Sequence, residues 1–162
     1  MNGKRFGDVR IERLSPMRVA CYRKISNSPE LEAAAFLQAW LSAQGVTGPV
    51  RQFGFDTEVT QDESNAGLRG YDVWLTVPAS VAASPEVTLQ DFEGGAYAVM
   101  KIDNPFEDPF HWIPSGWKAL HEWVSNNERY QAAEHQFLEE IVREGDIEHL
   151  VLYYPIQPRL LP

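Results

Sequence analysis

The chain has 162 residues, of which 44% are hydrophobic and 12% aromatic, so it is long enough to bury a sizeable core and too apolar to be disordered. Twenty-three acidic and fourteen basic side chains give a formal net charge of −9, which repels phosphate backbones and anionic membranes. We therefore expect no direct binding to nucleic acid or to a membrane. The single cysteine, Cys21, excludes an internal disulfide and is predicted to be a small buried core residue. The polar start MNGKRFGDVR does not resemble a signal peptide, so the expected location is the cytoplasm.

The first half of the chain predicts the order strand, helix, strand, strand. Residues 9–14 and 18–25 are rich in alternating apolar positions around Ser15-Pro16 and are interpreted as one bent strand. A helix is expected to open at Ser28, as its capping residue, and to end at Gly45. Two further strands are predicted at 50–55 and 71–77, separated by a polar, acidic loop.

The same order restarts after a small-residue linker at 78–85. Strands are predicted at 87–92 and 97–102, around a bend at Gly94-Gly95. A proline-punctuated entry at 104–114 leads to a second helix, on which Ile113, Trp117, Leu120 and Val124 form one apolar stripe. Strands at 135–142 and 149–156 complete the half.

Three segments of the first half have counterparts in the second: MRVACYRKI with GAYAVMKI, LQAWLS with LHEWVS, and YDVWLTVP with HLVLYYPI. Two copies of about 75 residues are too few and too long for a solenoid. The pattern predicts an α+β fold of duplicated β-α-β-β units with pseudo-twofold symmetry, antiparallel sheets, two main helices and a central cleft. We interpret residues 1–162 as a single domain with repeats at roughly 9–78 and 87–158.

A set of short motifs in a fixed order resembles the GyrI-like small-molecule-binding domain, the effector-binding module of many AraC-type and MerR-type transcription activators, which is also found alone. The resemblance runs from about residue 9 to 158. Its motifs are SPMRVA from Ser15, FGF from Phe53, LR from Leu68 leading into YDV from Tyr71, TVP from Thr76, GGAYAV from Gly94, Trp117 with Trp123, and PIQP from Pro155.

The resemblance implies an aromatic cleft for lipophilic and often cationic small molecules. In many members of the family a Glu two residues before a Tyr supplies the negative charge. Here Phe137 is the best match for that Tyr, so His135 falls on the glutamate position and Glu134 lies one residue away. Tyr153 matches an aromatic residue that commonly lines the cleft.

A lipophilic cation needs aromatic faces and one partly desolvated carboxylate. Trp74 shares a strand face with Asp72 and Thr76, which suits a wet cleft better than a dry core. Strand alternation places His135, Phe137 and Glu139 on one face, so the anionic group stays open between Glu134 and Glu139. For each aromatic residue core packing remains the alternative, and for each glutamate a solvated surface. The candidate site residues are Tyr71, Trp74, Tyr97, Trp112, Trp117, Glu134, His135, Phe137, Glu139 and Tyr153.

Other chemistries lack their patterns, so we expect no metal and no cofactor. The four histidines have no recognised metal spacing and none is marked as a haem ligand, and neither a phosphate-binding glycine loop nor a nucleophile elbow occurs. The first hypothesis is a stand-alone sensor or sequestering module. We expect no helix-turn-helix before Val9, and on that expectation control of transcription would need a separate DNA-binding partner chain.

Two other hypotheses follow from the resemblance. One is a hydrolase of reactive electrophilic toxins with Glu134, Glu139 or His135 as general base, and we expect binding rather than catalysis. The other is a protein inhibitor that binds a topoisomerase. A protein partner or a homodimer stays open in either case.

Overall fold

A computed structural model describes residues 5–160 and divides the chain into two compact units. One unit, called here the continuous unit, comprises Pro16–Glu93. The other, the split unit, comprises Met1–Ser15 and Gly94–Pro162. The first four residues of the predicted polar start lie outside the described residues. The single-domain interpretation and the repeat boundaries stay predictions.

The two units contain nine strands and three α-helices within the described residues. In chain order these are β1 (Arg10–Leu14), β2 (Met17–Ser26), α1 (Pro29–Ala43), β3 (Gln52–Thr57), α2 (Gln61–Asn65), β4 (Arg69–Thr76), β5 (Thr88–Phe92), β6 (Gly95–Ile102), α3 (Pro109–Ser125), β7 (Tyr130–Ala132), β8 (Leu138–Glu144) and β9 (Ile147–Pro158), with a short 3-10 helix at Pro105–Glu107. None of the helices in residues 5–160 is long and apolar enough to cross a membrane.

The continuous unit places α1 against one face of an antiparallel sheet with the order β3-β4-β2-β5. Ala33, Leu37 and Leu41 recur at helical spacing and pack into one buried cluster with Val73 and Leu75 of β4. Because strand side chains alternate, the intervening residues of β4 point to the opposite face. The helix therefore covers one face of β4, and the buried Trp74 lies on the other face.

The split unit repeats this arrangement with α3 against a sheet of order β1-β6-β9-β8. Leu120 and Val124 pack with Ile102 and Leu152 in its buried cluster. A Cβ on Gly116 would lie 2.5 Å from Cδ1 of Ile102, so glycine is what allows the helix to approach the sheet this closely. β7 pairs separately with the end of β9.

The duplicated β-α-β-β order and the α+β class are confirmed. MRVACYRKI and GAYAVMKI form β2 and β6, the strands that precede the main helix of each unit, and the two tyrosine- or tryptophan-bearing segments form β4 and β9. The single bent strand expected over residues 9–25 is wrong. β1 pairs with β6, whereas β2 pairs with β4 and β5, because the chain breaks at Ser15-Pro16 and proline has no N–H for a ladder.

The second helix begins earlier than predicted. Residues 104–114 were expected to form its entry, but α3 starts at Pro109 and contains Pro114. Pro114 is the sixth residue of α3 and cannot donate the helical hydrogen bond of its position, but the helix continues to Ser125. The polar, acidic loop predicted between the strands at 50–55 and 71–77 contains α2, and Thr60 and Glu63 form a capping box at the N-terminus of this helix. The predicted cap at Ser28 lacks a side-chain capping bond; its N–H instead donates to Ser26 Oγ.

Two glycines with nearly the same positive φ allow conformational strain to be distinguished from steric crowding. Gly94 has φ +79° and Gly67 has φ +80°. A Cβ on Gly94 would lie 2.1 Å from the Leu14 carbonyl oxygen, whereas no neighbouring heavy atom lies within 4 Å of a Cβ built on Gly67. We predict that Gly67→Ala lowers the free energy of unfolding by about 1 kcal/mol and Gly94→Ala by about 3 kcal/mol or more. Urea unfolding of both variants measures the difference, and equal losses would contradict the packing at Leu14.

Cys21 is half-buried on β2 rather than fully buried as predicted. Burial raises the pKa of its thiol to about 11, and this outweighs the opposing hydrogen bond with Thr88. Because the thiolate is the nucleophile, we predict that iodoacetamide at pH 8 modifies Cys21 at least ~100-fold more slowly than it modifies the urea-unfolded chain. Mass spectrometry of timed samples gives both rates, and similar rates would contradict this environment.

Candidate functional site

Two aromatic clusters lie on opposite faces of the sheet in the split unit. Along β9, Leu152 and Tyr154 belong to the core under α3, so the alternating Tyr153 points to the other face. The register makes Tyr153 the partner of Leu138, which leaves Glu139 on the α3 side and Glu140 on the other. The α3 side carries the group called here the Trp117 cluster, which comprises Trp117, His121, Phe137, Glu139 and Tyr154.

A hydrogen bond between helix and strand orients the carboxylate of the Trp117 cluster. The indole Nε1 of Trp117 donates to Oε1 of Glu139 over 3.1 Å. The ring of Phe137 stands edge-on to Trp117 at a centroid distance of 5.8 Å and edge-on to Tyr154 at 4.8 Å. Such edge-to-face contacts are the favoured geometry of aromatic pairs. The cluster therefore joins three aromatic rings to one positioned carboxylate.

Exposure differs across the Trp117 cluster. Phe137 is 40% exposed, whereas Tyr154 is 6% exposed and buried. Trp117 and Glu139 are half-buried between these extremes. An apolar ring of this size at the surface, next to a half-buried carboxylate, leaves the cluster accessible to a ligand at Phe137 and closed at Tyr154.

His121 completes the cluster from α3, one helical turn after Trp117. Its Nδ1 lies 2.7 Å from the Tyr154 hydroxyl oxygen, and its Nε2 lies 3.5 Å from Oγ of Ser125. Residues four apart on a helix lie on the same face, so Trp117 and His121 each reach down to one sheet residue. Burial raises the pKa of the Tyr154 phenol, which stays protonated at neutral pH.

The opposite face carries a second group, the Tyr97 cluster, made of Tyr97, His135, Glu140 and Tyr153. The Tyr97 hydroxyl donates to the Gln136 carbonyl and the Tyr153 hydroxyl donates to Oε1 of Glu140, both over 2.6 Å. Tyr97 is fully buried, and Glu140 and Tyr153 are 8% and 4% exposed. Burial raises the pKa of the Tyr97 phenol. These contacts describe an internal hydrogen-bonded network with both hydroxyls satisfied.

His135 packs into the Tyr97 cluster, which contradicts the predicted strand alternation. Its Nε2 lies 2.9 Å from the Ala96 carbonyl oxygen, and its ring lies 4.9 Å from the Tyr97 ring. The alternation failed because β8 begins at Leu138, three residues later than predicted, so residues 134–137 do not alternate as a strand. Glu134 lies in this segment and is exposed.

Among the ten predicted site residues, the structure thus brings Trp117, Phe137 and Glu139 together. Tyr97, His135 and Tyr153 form the other cluster. Trp112 lies elsewhere on α3, 6.1 Å from the Phe6 ring and beneath the Arg5 guanidinium at 4.6 Å.

The predicted residues of the first half, Tyr71 and Trp74, lie on opposite faces of β4. Tyr71 packs into the core beneath α1. Trp74 is 3% exposed and its ring lies 5.3 Å from both Phe55 and Phe92, so the predicted wet face is wrong. The polar neighbour that suggested water is Asp72, which instead binds Arg23 at 2.7 Å and accepts from Thr57.

Sequence reasoning missed two members of the Trp117 cluster, Tyr154 and His121. The pair Tyr153-Tyr154 gives no sign of which ring faces the helix, since a shift of one residue reverses the answer. The four-residue spacing of Trp117 and His121 was a usable signal, because it places both on one helical face. Within residues 5–160 no three His, Cys, Asp or Glu side chains are grouped to hold a metal ion.

Comparison with known proteins identifies the fold. No protein-family model matches the sequence, and no curated protein matches it. The crystal structure of the EcmrR C-terminal domain matches with a TM-score of 0.71 at 14% identity, over 93% of this chain and 97% of that one. EcmrR solved in complex with DNA matches with a TM-score of 0.71 at 13% identity, over 94% of this chain but only 58% of EcmrR. A hydrolase from Listeria innocua matches with a TM-score of 0.52 at 12% identity, over 92% and 91% of the chains.

These similarities confirm the predicted fold. The chain has the fold of a GyrI-like domain, and it spans somewhat more than half the length of EcmrR. At this level of identity the similarity is one of fold, so the chemistry must be argued from the residues of this chain.

The Tyr97 cluster is predicted to support stability and not ligand binding. Tyr153→Phe removes a hydrogen bond to a buried carboxylate, which should lower the free energy of unfolding by about 1.5–3 kcal/mol. The control is Tyr22→Phe, at a half-buried ring stacked on Phe36, with an expected change within about 0.5 kcal/mol. Urea unfolding measures both, and equal stabilities of the two variants would contradict a structural role for the Glu140 contact.

Proposed function

We propose that this protein is a binding module for lipophilic cationic small molecules and that the Trp117 cluster is the binding site. The observation that carries the proposal is the Glu139 carboxylate held by the Trp117 indole next to the exposed ring of Phe137. This arrangement supplies the two things that such a ligand requires. Phe137 and Trp117 offer aromatic surface, and Glu139 offers a negative charge.

The partial burial of the Glu139 carboxylate strengthens its electrostatic attraction for a cationic ligand. A cation over an aromatic face gains roughly 0.5–1 kcal/mol at an exposed site and about 2 kcal/mol when water is excluded. A bound aryl cation covers Phe137 and removes water from Glu139, so both attractions strengthen as the ligand enters. The hydrogen bond from Trp117 holds the carboxylate in place beforehand, which lowers the ordering cost of binding.

Two further observations support a binding role. The fold of the EcmrR C-terminal domain supports the effector-binding function expected from the resemblance to GyrI-like domains. The net charge of −9 attracts cations at long range and raises their rate of encounter. Sensing or sequestering the ligand requires only this binding step.

The experiment compares a cation with a neutral molecule of similar shape. Methyltriphenylphosphonium and triphenylphosphine oxide are titrated separately against the wild-type protein at pH 8 by isothermal calorimetry. We expect Glu139→Gln to weaken phosphonium binding about tenfold, or 1.4 kcal/mol, and to leave the phosphine oxide affinity nearly unchanged. The matched control is Glu134→Gln, which removes an exposed carboxylate five residues away and is expected to change neither affinity.

Three outcomes would contradict the proposal. The first is the absence of phosphonium binding by the wild type. The second is an equal loss of affinity in Glu134→Gln and Glu139→Gln, which would indicate only general charge attraction. The third is catalytic consumption of a reactive electrophile by the wild type and not by Glu139→Gln, which would favour the hydrolase hypothesis with Glu139 as general base.

A further inference from the structure

His121 lies where it can sense and influence a ligand in the Trp117 cluster. Its Nδ1 is hydrogen-bonded to the hydroxyl of Tyr154, and the Tyr154 ring meets Phe137 at 4.8 Å. His121 is itself exposed on α3, so solvent protons reach it. One residue thus contacts water on one side and a wall of the proposed site on the other.

Protonation of His121 changes the charge beside the site without breaking its hydrogen bond. A neutral imidazole accepts from the Tyr154 phenol or donates to it, depending on the tautomer. The imidazolium donates from Nδ1 to the phenol oxygen, so the geometry is compatible with both states. What changes is one positive charge, and histidine is the side chain that makes this change between about pH 5 and 8.

We propose that His121 is a specificity-determining residue that makes the site select cations at neutral and alkaline pH and release them in mild acid. This inference rests on the proposed function, since it concerns the same site. A charge on His121 repels a cation held at Phe137 and Glu139, while a neutral ligand of the same shape experiences no such repulsion. Because His121 is exposed, salt screens this repulsion, and we expect it to lower the affinity about threefold to fivefold.

Several other ionisable side chains lie on the elements around His121. The groups from the elements around His121 are Lys118 and Glu122 on α3, Glu139 on β8, Tyr154 on β9 and Tyr130 on β7. The β6 residues on this face of the sheet, Ala98, Met100 and Ile102, carry no ionisable group.

The remaining histidines have other environments and serve as controls. His111 is exposed near the start of α3, where its ring lies 4.6 Å from that of Trp112. Ten residues of helix place it about 15 Å from His121. His135 bonds to the Ala96 carbonyl, and Nδ1 of the buried His149 accepts from the Asn104 N–H.

The test measures the affinities for methyltriphenylphosphonium and triphenylphosphine oxide at pH 8.0 and pH 5.5 at constant ionic strength. For the wild type we expect phosphonium binding to weaken about threefold to fivefold at the lower pH, with no such change for the phosphine oxide. His121→Asn preserves a polar group near the position of Nδ1 but stays uncharged, so its phosphonium affinity should be the same at both pH values. His111→Asn should retain the wild-type dependence.

A second variant fixes the charge instead of removing it. His121→Lys is positive at both pH values, so its phosphonium affinity at pH 8.0 should match that of the wild type at pH 5.5. Its phosphine oxide affinity is measured alongside, because loss of the hydrogen bond to the Tyr154 hydroxyl acts on both ligands, whereas the fixed charge acts on the phosphonium alone.

The outcomes distinguish this inference from the proposed function. If the phosphonium fails to bind at either pH, the proposed function fails. If it binds but His121→Asn keeps the wild-type pH dependence, or if His111→Asn removes it, the role of His121 is overturned while the binding site stands. A parallel pH dependence for the neutral phosphine oxide would also overturn it, because that would report a change of shape rather than of charge.

Discussion

The alternation of side chains along β9 is the constraint on which the proposed site depends. Because Leu152, Tyr154 and Ile156 are committed to the core beneath α3, Tyr153 must face the other way, and the register then assigns Glu139 and Glu140 to opposite faces. A slip of one residue would exchange the two tyrosines and the two glutamates. The carboxylate available to the helix is thus determined by core packing several residues away.

Helix α3 contributes the other residues of the site, Trp117 and His121. Gly116 lets α3 approach Ile102 and Leu152, and the next residue, Trp117, is then close enough to donate to Glu139. His121 follows one turn later and bonds to Tyr154. Residues 116–121 of α3 therefore provide both its close packing against the core and its polar contacts with the sheet. In the continuous unit α1 packs in the same topological position but contributes Ala33, Leu37 and Leu41 to a core.

Much of the fold could be predicted from the sequence, because it is repeated there. MRVACYRKI and GAYAVMKI were recognisable as the same strand, and their helices and later strands follow at matching intervals. The pairing of β1 with β6 was not predictable. More than eighty residues separate the two strands, and local hydrophobic periodicity does not indicate such a pairing. Pro114 was misleading because proline is a local signal for the start or end of a helix, whereas α3 continues on both sides of it.

The residue types of the candidate site could be predicted better than the particular residues that form it. Trp117, Phe137 and Glu139 were chosen for their chemistry and do lie together, whereas Tyr153 was chosen where Tyr154 faces the helix. That choice depends on register, which a two-residue aromatic pair cannot reveal. His135 was misplaced because the start of β8 lies three residues further on than hydrophobicity indicates.

The most direct measurement of the central claim is a two-dimensional NMR spectrum of the five tryptophan indole N–H groups during titration with methyltriphenylphosphonium. Direct contact at the Trp117 cluster predicts that the Trp117 indole signal shifts most and that the ligand phenyl protons show nuclear Overhauser contacts to the Phe137 ring. The Trp40 indole, which donates to Ser84 in the other unit, should stay unchanged. A titration in which the phosphonium binds but shifts the indoles of Trp74 or Trp40 and leaves that of Trp117 in place would contradict the account.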